Sequence, residues 1–380
     1  MRELVAIDLP ASNDFVDVLK RIWDSGDAAL PLDQRLPDVA RRNLITQFKV
    51  TSIVGSDGLK VKFANGEPVD QDDALVIATS GSTGEPKGVV HTHTSIKAAI
   101  TTTGARLDCA ETDHWLACIS LAHVGGLSVV LRALHFGSRL TIERRADQAT
   151  IETAVNNGAN MTSLVPTVLQ SVDTSGFRTV LIGGTHAPAN LPNNAISTYG
   201  LTETFGGVIY NGSPLAGVEV RINQDSEIQI RCNSLLRCYR NGLDPKTSDG
   251  WLLTGDLGEF HNEKLSVLGR KDDLIKTGGY KVWPITVETC LRQHDAVADV
   301  VVAGTPDEKW GETVTAWAVL KPHTSNIQIE DLRKHVRLTL PDYCAPKKLF
   351  VVDQIPRSSL GKVLMSDLSK LSNKLNAKHE

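Results

Sequence analysis

A chain of 380 residues is longer than one hydrophobic core usually organises, so we expect a large domain together with a smaller one. An apolar fraction of 41% and a charged fraction of 22% are typical of folded proteins and exclude a largely disordered chain. The formal net charge of -4 provides no global basic field, which argues against a nucleic-acid-binding protein.

The cysteine pattern and the N-terminus indicate a reducing compartment. The six cysteines are dispersed without a Cys-x-x-Cys pair, which disfavours both a zinc site and a disulfide framework. The N-terminus lacks the features of a signal peptide, and no apolar run approaches the roughly 18 residues that span a bilayer. We therefore expect a cytoplasmic protein without a membrane span. The oligomeric state stays open, with a homodimer as one option.

Helical and strand patterns alternate along the first half of the chain. Apolar residues recur at helical spacing in residues 15–23, 95–103, 126–134 and 151–155. β-rich runs between them predict buried strands at 75–78, 115–118, 139–142, 161–164 and 179–182. This alternation predicts an α/β domain with layered, mostly parallel sheets covered on both faces.

The pattern changes in the second half of the chain. Short strands between Gly, Asn, Asp and Pro turns predict an antiparallel subdomain, with strands at 218–222, 227–231 and 251–254. A small α+β domain is predicted beyond it, with strands at 299–303, 314–320 and 348–352 and a helix at 328–338. We place the domain boundary after residue 269, which gives domains 1–269 and 270–380.

The most informative segment is a buried strand that runs into a loop of hydroxyl and glycine residues. Glycines let backbone amides turn toward an anion, hydroxyls add donors, and a lysine supplies charge for polyphosphate. The candidate phosphate ligands are Thr79, Ser80, Gly81, Ser82, Thr83, Gly84 and Lys87. A flexible linker is the alternative, although linkers seldom follow a buried strand directly. An ordinary P-loop is disfavoured because Gly88 follows the lysine.

Residues 79–88 resemble the signature of the adenylate-forming superfamily, which contains acyl-CoA synthetases, firefly luciferases and peptide-synthetase adenylation domains. The resemblance implies ATP and Mg²⁺, with coenzyme A as co-substrate. Residues 199–204 resemble a second family motif, in which Tyr199 stacks on adenine beside Gly200, Thr202 contacts the α-phosphate and Glu203 holds Mg²⁺. The stretch that contains Gly183 and Gly184 resembles the family loop that lines the adenine pocket.

Further motifs follow in the family order. The resemblance implies that Asp256 binds the ribose hydroxyls, Arg270 contacts the nucleotide and Asp272 is a hinge. It also implies that Gly279 lines the pantetheine tunnel and that the catalytic Lys362 neutralises charge during adenylation. A mobile small domain would then exchange Lys362 for the Gly279 segment between two half-reactions. Taken without the other motifs, the Arg270 segment also reads as a charged surface turn.

Two further stretches of the sequence bear on the acid substrate. Residues 121–127 resemble the border of the acyl pocket and imply His123 as a catalytic and pocket residue; a core histidine at a helix start is the alternative. The short N-terminal region and residues 199–218 resemble compact o-succinylbenzoate:CoA ligases, which favours an aromatic keto-dicarboxylate. Its keto group and second carboxylate need donors beside small residues, for which the candidates are His123, Ser163, Thr204, Gly206 and Gly207.

Competing functions stay open at this point. One is a ligase of the same chemistry for another aryl or acyl substrate, or an enzyme that loads a carrier protein. These remain possible because the motifs do not determine the shape of the acid pocket. Another is a nucleotide-binding relative without turnover. A P-loop ATPase or kinase is opposed by the residue that follows the lysine.

Overall fold

The computed structural model describes residues 1–80, 86–184, 190–322, 324, 328–357 and 363–376. The chain forms two compact units: Met1–Arg221 with Gln229–Leu253, and Ile222–Ile228 with Thr254–Glu380. The boundary expected after residue 269 falls inside the second of these units. The division into 1–269 and 270–380 therefore stays a prediction.

The elements up to residue 214 belong to the first unit. Its helices there are α1 (Asn13–Asp24), α2 (Asp38–Gln47), α3 (His93–Arg106), α4 (Val124–Phe136), α5 (Gln148–Asn156) and α6 (Pro166–Leu169). Its strands there are β1 (Leu4–Ile7), β2 (Ala28–Pro31), β3 (Ser52–Val54), β4 (Lys60–Lys62), β5 (Asp73–Ser80), β6 (Pro86–Thr92), β7 (His114–Ala117), β8 (Arg139–Ile142), β9 (Met161–Leu164), β10 (Thr179–Ile182), β11 (Ala195–Leu201), β12 (Gly206–Tyr210) and β13 (Ser213–Pro214).

The remaining elements follow in chain order. The strands are β14 (Glu219–Ile222), β15 (Glu227–Arg231), β16 (Cys238–Tyr239), β17 (Leu252–His261), β18 (Lys264–Arg270), β19 (Ile275–Thr277), β20 (Tyr280–Val282), β21 (Val297–Asp307), β22 (Gly311–Leu320) and β23 (Lys348–Val351). The helices are α7 (Pro284–Arg292), α8 (Ile329–Arg337) and α9 (Met365–Asn376).

Two seven-stranded sheets organise the first unit. One has the order β16-β6-β5-β2-β1-β3-β4, with parallel pairs at its centre and antiparallel pairs at both edges. The other has the order β13-β12-β11-β10-β9-β7-β8 and is parallel from β11 to β8. The predicted α/β class is confirmed. The strands β1 to β4 had no counterpart in the sequence analysis, whereas the similarly short strands β7 to β10 were predicted.

The second unit is built on an antiparallel core. Its sheet has the order β20-β19-β22-β21, and β23 joins β22 in the parallel direction. Helices α7 and α8 cover it through Val287, Leu291, Leu332 and Val336, all fully buried. A four-stranded sheet, β14-β15-β17-β18, contributes residues to both units and lies where the antiparallel subdomain was predicted.

Local sequence explains where the helices near the candidate site begin and end. The Thr92 hydroxyl accepts a hydrogen bond from the Ser95 N–H, and the Ser95 hydroxyl accepts one from the Thr92 N–H, so a reciprocal cap starts α3. Helix α4 ends at Gly137, whose φ of 66° lies in the left-handed region that favours glycine. The cap thus sets the start of α3 directly after β6, and the glycine sets the end of α4.

Candidate nucleotide- and acid-binding site

The β5–β6 hairpin carries the predicted phosphate loop. Thr79 pairs with Lys87 across the hairpin, and the Thr79 hydroxyl donates to the Lys87 carbonyl over 3.4 Å. Ser80 is the last described residue of β5, and Gly81, Ser82, Thr83 and Gly84 lie outside the described residues. The Lys87 ammonium lies 5.2 Å from the centroid of the Tyr239 ring, within the range of a cation–π contact. The hairpin therefore presents Lys87 next to an aromatic residue of the neighbouring strand β16.

Thr202 and Glu203 lie in a 3-10 turn directly after β11. The Tyr239 hydroxyl donates to Glu203 Oε1 over 2.9 Å, and the Leu236 N–H donates to the Glu203 carbonyl over 2.8 Å. The other carboxylate oxygen, Oε2, accepts no hydrogen bond from a described residue. The carboxylate is thus held at one oxygen and available at the other.

The described residues contain no cluster of three or more His, Cys, Asp or Glu side chains that could hold a metal ion. Mg²⁺ in nucleotide-dependent enzymes commonly binds one or two carboxylates together with substrate phosphates and water. The available oxygen of Glu203 fits a site of that kind.

His91 supports Thr202 from inside the protein. The imidazole is fully buried, and its Nε2 donates to the Thr202 carbonyl over 2.7 Å while Nδ1 lies 3.2 Å from the Ser95 hydroxyl. Its ring packs edge-on against Phe205. Burial lowers the pKa of His91 to about 4, although the hydrogen bond to Thr202 acts in the opposite sense. His91 is therefore a neutral donor at physiological pH, and the sequence analysis did not single it out.

Close backbone approach explains the glycines around the predicted adenine pocket. A Cβ at Gly200 would lie 1.9 Å from the Gly206 carbonyl oxygen, and one at Gly183 would lie 2.6 Å from Thr198 Oγ1. Gly184 has a φ of 90°, which other residues rarely adopt. Tyr199 stands beside Gly200 in β11, at the point where the β11–β12 register shifts.

His123 immediately precedes α4 and forms part of a charged cluster. Its Nε2 donates to Asp33 Oδ2 over 3.1 Å, and Arg35 contacts both oxygens of the same carboxylate over 2.9 and 2.8 Å. Burial would raise the pKa of Asp33, but the hydrogen bonds from His123 and Arg35 outweigh it and hold that pKa well below its usual range. Asp33 thereby fixes the imidazole and leaves its Nδ1 for another partner.

Arg132 is the most unusual side chain of the first unit and was missed by the sequence analysis. It lies on α4, it is 3% exposed, and its Cζ lies 4.8 Å from the centroid of the Trp115 ring. Its Nε has no hydrogen-bond partner, and no carboxylate of a described residue pairs with the guanidinium. Burial lowers the pKa of Arg132. The sequence signal that could have revealed Arg132 is a charged residue within an otherwise mostly apolar helix.

Arg132 is connected to the predicted acyl-pocket glycines through Tyr210. Tyr210 and Arg132 are close enough that the cation acts to lower the pKa of the phenol, while burial raises it more strongly. A Cβ at Gly207 would lie 2.9 Å from Tyr210 Cε1. The neighbouring Gly206 has a φ of 99° and nothing within 4 Å of its Cβ position. This brings Gly206, Gly207, Tyr210 and Arg132 into one region of the β12 strand and α4.

The other two predicted acid contacts differ from each other. Ser163 is half-buried on β9, opposite Leu181 of β10. Thr204 is fully buried, and its hydroxyl bonds the Leu201 N–H over 2.8 Å and the carbonyls of Leu201 and Gly206 over 3.0 and 2.7 Å. The Thr204 hydroxyl is therefore hydrogen-bonded within the turn, and its predicted contact with the acid stays a prediction.

The predicted ribose and hinge residues lie in the second unit. Arg270 donates to Asp256 Oδ1 over 3.0 Å and to the Thr254 carbonyl over 3.1 Å, so two of the predicted nucleotide ligands contact each other. Asp272 is exposed in a 3-10 turn that follows β18. Gly279 has a φ of 85° and nothing within 4 Å of its Cβ position, which leaves space beside the backbone there.

An exposed tryptophan lies against the same glycine turn. A Cβ at Gly278 would lie 2.6 Å from Trp310 Cε3. The ammonium groups of Lys347 and Lys309 lie 3.5 and 5.0 Å from the centroid of the Trp310 ring. Burial lowers the pKa of Lys347, and its cationic neighbours act in the same direction. An aromatic face beside two cations suits the base and phosphates of a nucleotide.

The comparisons with known proteins agree with this geometry. The sequence matches the family described as AMP-binding enzyme over residues 4–231, and the family described as AMP-binding enzyme C-terminal domain over residues 286–362. The chain belongs to the AMP-binding enzyme family. The expected membership of the adenylate-forming superfamily is therefore confirmed. Among the described residues, no helix is both long and apolar enough to cross a membrane.

Several similar proteins within the AMP-binding enzymes are named for the same activity. A probable 2-succinylbenzoate--CoA ligase of Mycobacterium tuberculosis is 36% identical over 324 residues, which cover 78% of this chain and 84% of that protein. The o-succinylbenzoate CoA synthetase of Bacillus subtilis was solved with an acyl-adenylate intermediate; its TM-score is 0.84 at 26% identity, over 96% of this chain and 88% of that one. The same enzyme with ATP and a magnesium ion also gives 0.84 at 26% identity, over 97% and 89%.

The predicted site residues fall in both units of the protein. The second unit contains Asp256, Arg270, Asp272 and Gly279. The first unit contains the other described residues of the prediction, which are Thr79, Ser80, Lys87, His123, Ser163, Gly183, Gly184, Tyr199, Gly200, Thr202, Glu203, Thr204, Gly206 and Gly207. Lys362 lies outside the described residues. The roles assigned to these residues stay predictions.

Proposed function

We propose that the protein is an AMP-forming o-succinylbenzoate:CoA ligase, which activates the acid with Mg·ATP and then transfers the acyl group to coenzyme A. The family match and the activities for which the relatives are named support the reaction class. The observation that carries the choice of acid is the buried, unpaired guanidinium of Arg132.

The positive charge of Arg132 matches the second carboxylate of a dicarboxylic acid. A buried cation without a partner costs free energy, so such groups are normally paired or bind a ligand. An acid with two carboxylates leaves one charged after the other has been activated. A guanidinium binds a carboxylate through two parallel hydrogen bonds, which fits the second carboxylate of an aromatic keto-dicarboxylate. The nearby Gly206 and Gly207 leave room for the ring, and His123 Nδ1 is available to the keto group.

In the first half-reaction, the substrate carboxylate attacks the α-phosphorus of ATP and pyrophosphate leaves. Lys87 and the phosphate loop bind the β- and γ-phosphates, and Thr202 contacts the α-phosphate. Glu203 would hold Mg²⁺, which when bound neutralises phosphate charge. Lys362 would stabilise the charge that develops between the carboxylate and the α-phosphate. His91 and Tyr239 keep Thr202 and Glu203 in position.

In the second half-reaction, the thiol of coenzyme A attacks the acyl carbonyl and AMP leaves. We propose that residues 270–380 form a small domain that rotates about Asp272 between the two steps. The free space beside Gly279 would admit the pantetheine arm, and Trp310, with Lys309 and Lys347, would bind the nucleotide end of coenzyme A. This cluster favours coenzyme A over a carrier protein, which has no nucleotide end.

The test is release of AMP and pyrophosphate with Mg·ATP and coenzyme A across o-succinylbenzoate, benzoate, succinate and octanoate. We expect release with o-succinylbenzoate alone. Release with another acid would keep the ligase chemistry and discard this substrate. ADP as the product, or no release with any of the four acids, would contradict the proposed function.

A further inference from the structure

Tyr239 links two predicted ligands of the triphosphate that lie far apart in the sequence. Its hydroxyl donates to Glu203 Oε1 over 2.9 Å, and its ring lies under the Lys87 ammonium at 5.2 Å. It stands on β16, which pairs with β6 so that Tyr239 lies opposite Val89, two residues after Lys87. One side chain thus contacts both a predicted cation-binding carboxylate and a predicted phosphate-binding cation.

The ring and the hydroxyl of Tyr239 have different partners. The ring is buried among Val89, Leu235, Leu236 and Leu252, and a phenylalanine would make the same apolar contacts. The hydroxyl reaches the carboxylate, which it holds through one of two oxygens. A carboxylate that is not hydrogen-bonded rotates about its side-chain torsions, and fixing it in advance reduces the cost of binding a metal.

We propose that Tyr239 is a positioning residue for the metal–nucleotide complex: its hydroxyl orients Glu203 toward Mg²⁺, and its ring keeps Lys87 at the phosphates. The proposal rests on the proposed function, because it assumes that Glu203 and Lys87 meet Mg·ATP. It adds that the Tyr239 hydroxyl governs the magnesium requirement and the Tyr239 ring governs affinity for the nucleotide itself. A tyrosine that only fills the core would do neither.

The experiment measures binding without turnover. Calorimetric titration with α,β-methylene-ATP, which resists cleavage at the bond broken in adenylation, is repeated over a series of Mg²⁺ concentrations without acid or coenzyme A. Tyr239→Phe should raise the Mg²⁺ concentration for half-maximal binding about 3- to 10-fold, the usual effect of one lost hydrogen bond, and should leave metal-free binding unchanged. Tyr239→Leu should weaken metal-free binding as well.

Controls separate positioning from folding and from the proposed function. Tyr343→Phe removes a phenol hydroxyl from the second unit and should leave the magnesium requirement unchanged, and thermal unfolding reports on whether each variant is folded. An unchanged or lower magnesium requirement in Tyr239→Phe would overturn the role of Tyr239 while the wild type still binds Mg·nucleotide. Absence of magnesium-dependent binding in the wild type would overturn the proposed function together with this proposal.

Discussion

Two buried ionisable side chains of the first unit have opposite surroundings. His91 has a hydrogen-bond partner at each ring nitrogen and stays neutral, so its burial is compensated within the protein. Arg132 has an aromatic neighbour but no carboxylate among the described residues, so its burial is not compensated. The first group is satisfied within the fold, and the second is the group for which we propose a ligand.

Replacing Arg132 should therefore separate stability from function. In Arg132→Met an apolar side chain of similar length fills the space, and we expect the free energy of unfolding to rise by about 1–3 kcal/mol because an unpaired buried charge is removed. Urea denaturation of the ligand-free protein measures it. Relative to Mg·ATP alone, addition of o-succinylbenzoate should raise the unfolding temperature of the wild type further but should not raise that of the variant. Loss of stability in the ligand-free variant would contradict the assignment.

His91 should make stability depend on pH. Its folded-state pKa of about 4 lies below the unfolded value near 6.5, so the unfolded chain takes up the proton first as pH falls. The stabilisation by neutral His91 is complete above pH 6.5 and is lost between pH 6.5 and pH 4. The stability advantage of the wild type over His91→Gln should shrink by about 3 kcal/mol between pH 7 and pH 4. An advantage independent of pH would show that His91 is solvated in the native state.

The sequence predicted the motif residues but not the side chains that support them. Thr202 and Glu203 are recognisable because their chemistry recurs at a fixed spacing. Their supports, His91 and Tyr239, come from strands β6 and β16, which lie distant in the sequence, and such pairing is decided only when the sheet forms. Asp33, which contacts His123, is likewise distant from it in the sequence.

At the scale of elements, the β11–β12 hairpin combines the nucleotide and acid regions. Its first strand ends in the Thr202–Glu203 turn, and its second begins with Gly206 and Gly207. The bulge at Gly200 depends on direct contact between backbones, since a Cβ there would overlap the Gly206 carbonyl. The motif residues of the hairpin were predicted from the sequence, whereas the bulge depends on the partner strand.

A substitution in the β11–β12 hairpin should change the KM for the acid but not the KM for ATP. In Gly207→Ala the new Cβ would lie 2.9 Å from both Thr198 Cβ and Tyr210 Cε1, and relieving this overlap should cost about 1–3 kcal/mol. Because Tyr210 adjoins Arg132, we expect the KM for the acid to rise about tenfold and the KM for ATP to change little. Gly55→Ala, where the nearest atom is 3.6 Å away, is the control. Equal changes in both KM values would contradict the placement of the acid.

At the scale of the whole molecule, the predicted ligands fall into two compact units, and two half-reactions are proposed for one site. The fold class and the presence of a smaller C-terminal part were predictable from the change in strand pattern. The boundary was harder to predict, since residues 222–228 join the second unit although most of the chain before residue 254 belongs to the first. The strands of the sheet β14-β15-β17-β18 include residues of both units, so no single position in the sequence separates the units.

Rotation of a small domain predicts that variants lose one half-reaction at a time. Lys362→Ala should abolish adenylation, measured by exchange of pyrophosphate into ATP, while thioester formation from preformed acyl-AMP survives. Asp272→Pro stiffens the proposed hinge and should do the reverse. Equal loss of both half-reactions in either variant would be inconsistent with a rotating domain.

The central claim is that Arg132 binds the second carboxylate of an aromatic keto-dicarboxylate. It is tested most directly by kcat/KM for coenzyme A-dependent AMP release, measured for the wild type and Arg132→Met with o-succinylbenzoate and with the two monocarboxylate analogues that each lack one of its carboxylates. We predict that the wild type prefers o-succinylbenzoate over the analogue that can still be activated by about 100-fold, and that Arg132→Met reduces this preference to within a few-fold. A preference that survives intact in Arg132→Met would contradict the account.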